Sequence, residues 1–250
     1  MDSVGTVPGS DPYARAARAY DLFYLEKDYE AEAGAVVALA EQYSPGARSL
    51  LDVGCGTGAH LAHLSKRYSR VAGVDASAAM LDEARHSYPT IDFHDGDMRT
   101  FALAERFDVV TCLFSAVGYM TTEPDLDAAI ANMAAHLAPG GVLLVEGWIT
   151  PDAFLPDHAS AHSAVGDDTA VARVMISRRH GDISIIDAQY VIATLDGIEH
   201  VVEEHRLGLF TFEQYRAAVE RAGLRYAREE GLTGRGLHVG VEQEADRSGS

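Results

Sequence analysis

The run Ser49-Leu-Leu-Asp-Val-Gly-Cys-Gly-Thr-Gly-Ala-His-Leu61 decides the fold. Its first five residues form a short apolar stretch of β type, glycines follow at 54, 56 and 58, and Leu61, Leu64 and Tyr68 then recur at helical spacing. Strand, tight turn and helix succeed one another within twenty or so residues, the opening of a βαβ unit. Downstream the unit repeats. Val71 to Val74 is a second apolar run ending in Asp75, and Ser77 offers an N-cap to a helix carrying Met80, Leu81 and Ala84. Ile91 to His94 precedes Asp95-Gly-Asp97, Phe107 to Phe114 reads as a continuous buried strand, Leu126 to Leu137 as a helix, and Gly141 to Trp148 as strand again, with Pro139-Gly-Gly141 as the turn between the last two. Strands apolar on both faces that alternate with helices require a parallel sheet covered on two sides.

Outside this core the pattern changes. From Tyr13 to Tyr43 the apolar positions recur loosely at helical spacing, which predicts two helices with a break near Leu25 to Asp28. After Trp148, the runs Val171 to Ser177, Ile183 to Ala193 and His200 to Phe210 are of β type and are separated by Gly- and Asp-bearing turns. They predict an antiparallel insertion of about three strands, a lid or substrate platform. A helix over Phe212 to Ala222 and strands over Arg225 to Glu230 and Leu237 to Val241 close the chain, and the tail reads as frayed. The expected division is a helical arm at 1–45, a cofactor-binding core at 46–150, the insertion at 151–210, a helix and last strands at 211–242, and a tail at 243–250.

Composition narrows the function classes. With 250 residues, 47% of them hydrophobic, the chain can bury one good core, or one core plus a small appendage. Twenty Lys and Arg against 38 Asp and Glu give a formal charge of −18, which repels polyanions, so nucleic acid is not an expected partner. The two cysteines, the lack of an apolar leader and the lack of a long apolar run point to the cytoplasm and away from a membrane.

The glycine turn lets a backbone pass close to a ligand, and the helix that follows presents unpaired N–H groups to it. Taken alone, the turn also suits the pyrophosphate of a dinucleotide, although that fingerprint places its third glycine where Ala59 stands. The surrounding constellation is more specific: Asp52 before the turn, Asp75 after the second strand, where a carboxylate can accept both hydroxyls of a ribose, and Asp97 after the third, where one can accept an adenine amino proton. All three fall at successive strand ends, the edge at which such sheets bind ligands. His60 and His63 share a helix without the intervening Glu of a metalloprotease, and no metal is expected.

Leu51-Asp-Val-Gly-Cys-Gly-Thr-Gly58, Gly73-Val-Asp-Ala-Ser77 with Met80-Leu81, Gly96-Asp-Met98 and Leu137-Ala-Pro-Gly-Gly141 together resemble the motifs of class I methyltransferases that use S-adenosylmethionine. The resemblance implies a doubly wound, Rossmann-like α/β sheet. It implies that Gly54, Gly56 and Gly58 face the methionine part of the cofactor, Asp75 the ribose and Asp97 with Met98 the adenine, and that Cys55, Ala76 and Met80 also bind the cofactor.

A narrower resemblance runs nearly end to end. Tyr20-Asp-Leu-Phe-Tyr24, Lys27-Asp-Tyr29, Phe114-Ser-Ala-Val-Gly-Tyr119, Val145-Glu146 with Trp148, Leu209-Phe210 and Thr233-Gly-Arg-Gly-Leu237 are similar to the N,N-dimethyltransferases of dTDP-linked amino sugars such as desosamine and mycaminose. Glu146-Gly-Trp148 departs from that family's Glu-Pro-Trp-Trp, and Asp75 stands where it tends to have Glu. The resemblance implies an acceptor amine oriented by Tyr13, Tyr24 and Tyr119, with Tyr20, Tyr29 and Phe114 on the cofactor and Ser115 and Trp148 on the substrate. Methyl transfer from a sulfonium is an in-line displacement in which alignment supplies most of the acceleration, and the acceptor loops offer no evident His or carboxylate base. A dTDP group also requires a local cation. Arg235, between glycines, is the first candidate, and Arg178 and Arg179 follow. A methyltransferase of another small natural product, an NAD-type oxidoreductase and a non-catalytic cofactor-binding protein are the alternatives, and a homodimer is compatible with all of them.

Overall fold

A computed structural model of the chain describes residues 13, 17–25, 27–230 and 235–242. The tail expected at 243–250, and Thr233 and Gly234 of the glycine-bearing turn, lie outside the described residues. Five parallel strands form the centre of the sheet: β1 (Ser49–Val53), β2 (Arg70–Asp75), β3 (Asp92–Asp95), β4 (Phe107–Cys112) and β5 (Leu137–Glu146). The full order is β10-β11-β5-β4-β1-β2-β3, with β10 (Arg225–Glu229) and β11 (Leu237–Val241) antiparallel at one side. The chain reverses its direction of winding between β1 and β4, so the crevice that binds ligands in such sheets opens at their carboxyl ends.

Alternate residues of β1, β4 and β5 serve opposite cores. Leu51, Val110, Leu143 and Val145 pack into one cluster, with Leu126, Ile130 and Met133 of α5 (Glu123–Ala135) and Tyr215 and Val219 of α6 (Phe212–Arg221). Leu50, Val109, Val142 and Leu144 pack into the other, with Val36 and Leu39 of α2 (Tyr29–Tyr43), Leu61 and Leu64 of α3 (Ala59–Leu64) and Leu81 of α4 (Ala78–Ser87). Burial on both faces explains why these strands are largely apolar on both sides rather than alternating. Ser77 caps α4 by accepting from the Met80 N–H at 3.2 Å, as its sequence position suggests. Ahead of α2, α1 (Ala17–Tyr20) runs into a 3₁₀ turn over Asp21–Tyr24.

Three expectations change. Strand β4 stops at Cys112, and Phe114 and Ser115 instead take left-handed backbone (φ 52° and 61°). Pro139-Gly-Gly141 does not separate helix from strand: Leu137 already pairs with Phe107 and Val142 with Val109, so the three residues sit in a bulge inside β5, with Gly140 at φ 76°. The insertion has four strands, β6 (His158–Val165), β7 (Ala170–His180), β8 (Ile183–Thr194) and β9 (Gly197–Gly208), all antiparallel in that order. Strand β6, His-Ala-Ser-Ala-His-Ser-Ala-Val, is an edge strand of small and polar residues, largely exposed, and lacks the β-branched alternation by which the others are recognised.

The insertion meets the core where β9 ends. A Cβ on Gly208 would lie 2.3 Å from the Met120 carbonyl, so this backbone approach admits no side chain. Nearby, a 3₁₀ turn over Ala116–Tyr119 follows β4 and faces β9.

One charged group lies in the middle of the sheet. Asp52 on β1 is 2% exposed, and its Oδ1 accepts from Thr111 Oγ1 at 2.7 Å. Burial pushes this carboxyl up to about 6. An unfolded Asp ionises near about 3.9, so folding takes up a proton between those two values and stability falls as pH rises through that window. Asp52→Asn keeps an acceptor for Thr111 and removes the penalty. In the ligand-free protein it is expected to raise the free energy of urea unfolding by roughly 2–3 kcal/mol above pH 6 and by little near pH 4. An equal change at both pH values would contradict this account.

Candidate active site

The carboxyl ends of β1 to β4 surround a cavity of about 640 Å³. Its floor is the glycine turn. The N–H groups of Gly54 and Cys55 both donate to the Val74 carbonyl, at 2.7 and 3.1 Å, which ties the turn after β1 to the end of β2. The Asp75 carboxylate completes the tie: Oδ2 accepts from the Gly56 N–H at 2.7 Å and Oδ1 from the Ser77 N–H at 2.8 Å. Gly54 has φ 75°, and a Cβ there would lie 2.5 Å from the Ala116 Cβ, so only glycine lets the loop after β4 close over the turn. Gly54, Gly56, Asp75, Ala76 and Met80 line the cavity. Cys55 and Gly58 do not: the Cys55 thiol is buried, with its ionisation pushed well up by that burial, and Gly58 starts α3 against the Phe93 ring.

Asp97, Met98 and Arg99 form a second wall. The Arg99 Nε donates to Asp97 Oδ1 at 2.9 Å and its Nη1 to Asp125 Oδ1 at 2.8 Å, and the bonds from Arg99 hold the Asp97 carboxyl below its usual range. Sequence reasoning missed Arg99, although a cation two residues after a ligand-facing Asp is the signal that such a carboxylate is braced.

Aromatic residues close the third side. Tyr13, Tyr20, Phe114 and Tyr119 line the cavity. Tyr13 and Tyr20 meet edge to face at 5.6 Å, Tyr24 lies 4.9 Å behind Tyr20 and 5.0 Å from Phe114, and the Tyr24 hydroxyl faces Arg173 at 3.4 Å. Tyr24 therefore supports the wall and is not part of it. Tyr29 packs edge-on against His60 at 4.8 Å, beneath Lys27, and the His60 Nε2 lies 2.8 Å from Glu32. Thr57 in the glycine turn donates to Asp21 at 2.8 Å, which fastens the arm to the floor.

The Tyr13 and Tyr119 hydroxyls are hydrogen-bonded to each other, and Tyr119 Oη lies 2.8 Å from His205 Nδ1 on β9. Glu203 Oε2 in turn lies 3.4 Å from His205 Nε2. This overturns the expectation that no His or carboxylate stands near the acceptor loops: the insertion supplies both. On β9, Val201, Glu203, His205 and Leu207 share the buried face, but the opposite face also mixes apolar and ionisable residues, so the alternation alone does not mark Glu203 and His205 as inward.

Of the residues expected on the substrate, three gather into one cluster. Ser115 Oγ donates to the Gly147 carbonyl at 2.8 Å and accepts from Arg235 Nη1 at 2.8 Å. Arg235 also faces the buried Glu146 at 3.4 Å and lies 5.1 Å from the Trp148 ring. Trp148 Nε1 donates to Ser184 Oγ at 3.0 Å. Arg178 and Arg179 do not join them: Arg178, half exposed, pairs with Asp187, and Arg179 bonds to the Pro151 and Gly181 carbonyls.

The cavity suits S-adenosylmethionine better than a dinucleotide. Among the described residues that line it, Arg99 is the one cation, and it is committed to two carboxylates, so a pyrophosphate would find no cation there. The Gly54 approach, the anchored Asp75 and the Met80 and Met98 surfaces match a nucleoside carrying a cationic sulfonium.

Residues 50–141 match the family model described as a methyltransferase domain. The chain is 43% identical over 238 residues, 94% of its own length and 93% of the relative's, to a dTDP-3-amino-3,6-dideoxy-α-D-glucopyranose N,N-dimethyltransferase of Streptomyces fradiae. The crystal structure of Streptomyces venezuelae DesVI superposes with a TM-score of 0.86 at 43% identity, covering 91% of this chain and 98% of that one. S-adenosylmethionine-bound CalS10 from Micromonospora echinaspora, an amino pentose methyltransferase of calicheamicin biosynthesis, superposes with a TM-score of 0.79 at 39% identity, covering 96% and 100%. The chain belongs to this family of class I, S-adenosylmethionine-dependent sugar N-methyltransferases.

Proposed function

We propose that the enzyme dimethylates the amine of a dTDP-linked amino-deoxysugar in natural-product biosynthesis, in the cytoplasm. The observation that carries this reading is the pair of neutral, mutually hydrogen-bonded phenols, Tyr13 and Tyr119, in the wall of a cofactor-sized cavity. Burial raises both phenols well above their ordinary range, so they orient a nitrogen nucleophile as hydrogen-bonding dipoles without competing as anions. Similarity to the S. fradiae enzyme over nearly the whole chain supports the sugar nucleotide.

The cofactor supplies an electrophilic methyl group on a good leaving group. The protein's share is placement. Asp75 accepts from the ribose, Asp97 with Met98 and Met80 meets the adenine, and the turn at Gly54 and Gly56, with Tyr20, lies along the methionine part. Cys55, Gly58 and Tyr29 act from behind that surface by shaping it. Tyr119 and Tyr13 hold the amine, with Tyr24 supporting them, and their rings exclude water. Ser115, Trp148 and Arg235 form the entrance for the sugar nucleotide, with Arg235 toward the diphosphate. Mass spectrometry of a panel of dTDP-aminosugars incubated with enzyme and cofactor tests the reading: mass gains of one and then two methyl groups are expected, and no gain on any amine would overturn it.

Two substitutions probe the separate halves of the site. Asp75→Ala removes both the ribose acceptor and the anchor of the glycine turn. It is expected to weaken cofactor binding by about 2–3 kcal/mol, on the order of a hundredfold in calorimetry. Arg235→Ala is expected to raise the KM for the sugar nucleotide at least about tenfold with cofactor affinity intact, while Arg235→Lys, which preserves the charge against Glu146, falls between. An unchanged KM in Arg235→Ala would place the diphosphate elsewhere.

A further inference from the structure

We propose that His205, backed by Glu203, is the proton acceptor for the substrate amine, reached through the Tyr119 hydroxyl. The inference rests on the amine reading above and adds to it the fate of the proton. An alkyl amine is largely an ammonium near neutral pH, and an ammonium has no lone pair with which to attack a methyl group. A first methylation also leaves a new ammonium that must lose a proton before a second can occur. Two protons therefore leave the site for each dimethylated product, and orientation by phenols alone does not remove them.

The geometry provides the route. Tyr119 lines the cavity, and its hydroxyl lies 2.8 Å from His205 Nδ1. The imidazole is 8% exposed and packs 5.2 Å from the Tyr13 ring. Behind it the Glu203 carboxylate is buried against the Tyr190 phenol of β8, and its Oε2 faces His205 Nε2 at 3.4 Å. A buried carboxylate is costly, and an imidazolium beside it offsets that cost with an opposite charge, which the neutral Tyr190 phenol does not supply. The other groups facing this cluster are Tyr13 and Tyr20 from the arm and Tyr190 from β8. The Tyr190 phenol is raised by burial and by the Glu203 charge, and Arg173 of β7 opposes that effect. None of these phenols is poised to hold the proton as an anion acceptor would require, which leaves the imidazole.

The step balances. The ammonium N–H bond breaks as its proton passes to the Tyr119 oxygen, the Tyr119 O–H proton passes to His205 Nδ1, and the nitrogen keeps the bonding pair as its lone pair. The imidazolium forms against Glu203 and returns its proton to water between transfers. His205 acts through Tyr119 and is in that sense a positioning residue for the proton, not a group in contact with the reacting atoms.

His205→Gln tests the proposal, because the amide oxygen can still accept from Tyr119 but cannot take up a proton. At about pH 7 its kcat is expected to fall at least about thirtyfold, with monomethylated product accumulating. By about pH 9.5, where the amine arrives neutral, the deficit should shrink to within about threefold. Cofactor affinity and substrate KM are expected to stay near wild type. A deficit of equal size at every pH, or none at neutral pH, overturns the relay while leaving the amine substrate in place. Nitrogen-15 NMR of the ligand-free protein gives an independent reading: Nδ1 of His205 should be the unprotonated nitrogen of the neutral ring, and Tyr119→Phe should shift its resonance. An Nδ1–H tautomer would overturn the relay as well. Wild-type enzyme that binds cofactor yet methylates no amine overturns the substrate reading and the relay together.

Discussion

Two backbone N–H groups, of Gly56 and Ser77, converge on the Asp75 carboxylate, and the arrangement of the whole ligand edge follows from that convergence. The two parallel strands that end side by side there must each hand the chain on to a helix, and the amides freed at the turns need acceptors. The Val74 carbonyl takes two of them and the carboxylate two more, with the charge on the acceptor making the latter pair the stronger. One side chain thereby fixes the height of the glycine turn, the start of α4 and its own orientation toward the cavity. The N-terminal arm rests on the same turn through Thr57 and Asp21, so the aromatic wall is referred to the same anchor.

This dependence explains why the core was legible in the sequence and the acceptor side was not. Strands β1, β2 and β4 are buried on both faces, so their residues are constrained to be largely apolar, and the ends of β1 and β2 are marked by Gly54 and Asp75. On β9 the constraint is weaker: the face of Val201, Glu203, His205 and Leu207 and the face of Ile198, His200, Val202, Glu204 and Arg206 each mix apolar with ionisable residues. Periodicity shows a strand there but not which face points inward. The choice is made by pairing with β8 and by the backbone contact of Gly208 with Met120, both long-range facts. Strand β6 was lost for a different reason, since an exposed edge strand needs no apolar face at all.

The strongly acidic composition is no obstacle to an anionic substrate. At physiological ionic strength the field of a distant surface carboxylate is screened within about 8 Å, whereas a cation at the entrance acts at contact distance. Arg235 is partly exposed, 36% of its side chain, and is held by Ser115, Glu146 and the Trp148 ring. Guanidinium geometry allows this division of labour, some N–H donors binding the protein and others remaining directed outward.

The left-handed pair Phe114–Ser115 joins these two halves of the site. Non-glycine residues in that region cost of order 1–2 kcal/mol each, and two in succession persist only where their surroundings determine them. Here the determinants are visible. The Phe114 N–H donates to Glu146 at 2.7 Å, and Ser115 Oγ donates to the Gly147 carbonyl, so the loop after β4 is pinned to the end of β5. Had β4 continued to Phe114 as an extended strand, the next residues would have been carried past the glycine turn. The reversal instead lays Ala116 against Gly54 and presents Tyr119 to the cavity. Glu146 also holds Arg235, so one buried carboxylate sets both the loop that closes over the glycine turn and the position of Arg235. The strained backbone is the means by which the loop after β4 is placed relative to the glycine turn, and it is why hydrophobicity alone predicts a strand that runs on to Phe114: Phe114 is apolar because it lines the cavity and packs on Tyr24 behind it, not because it belongs to the sheet.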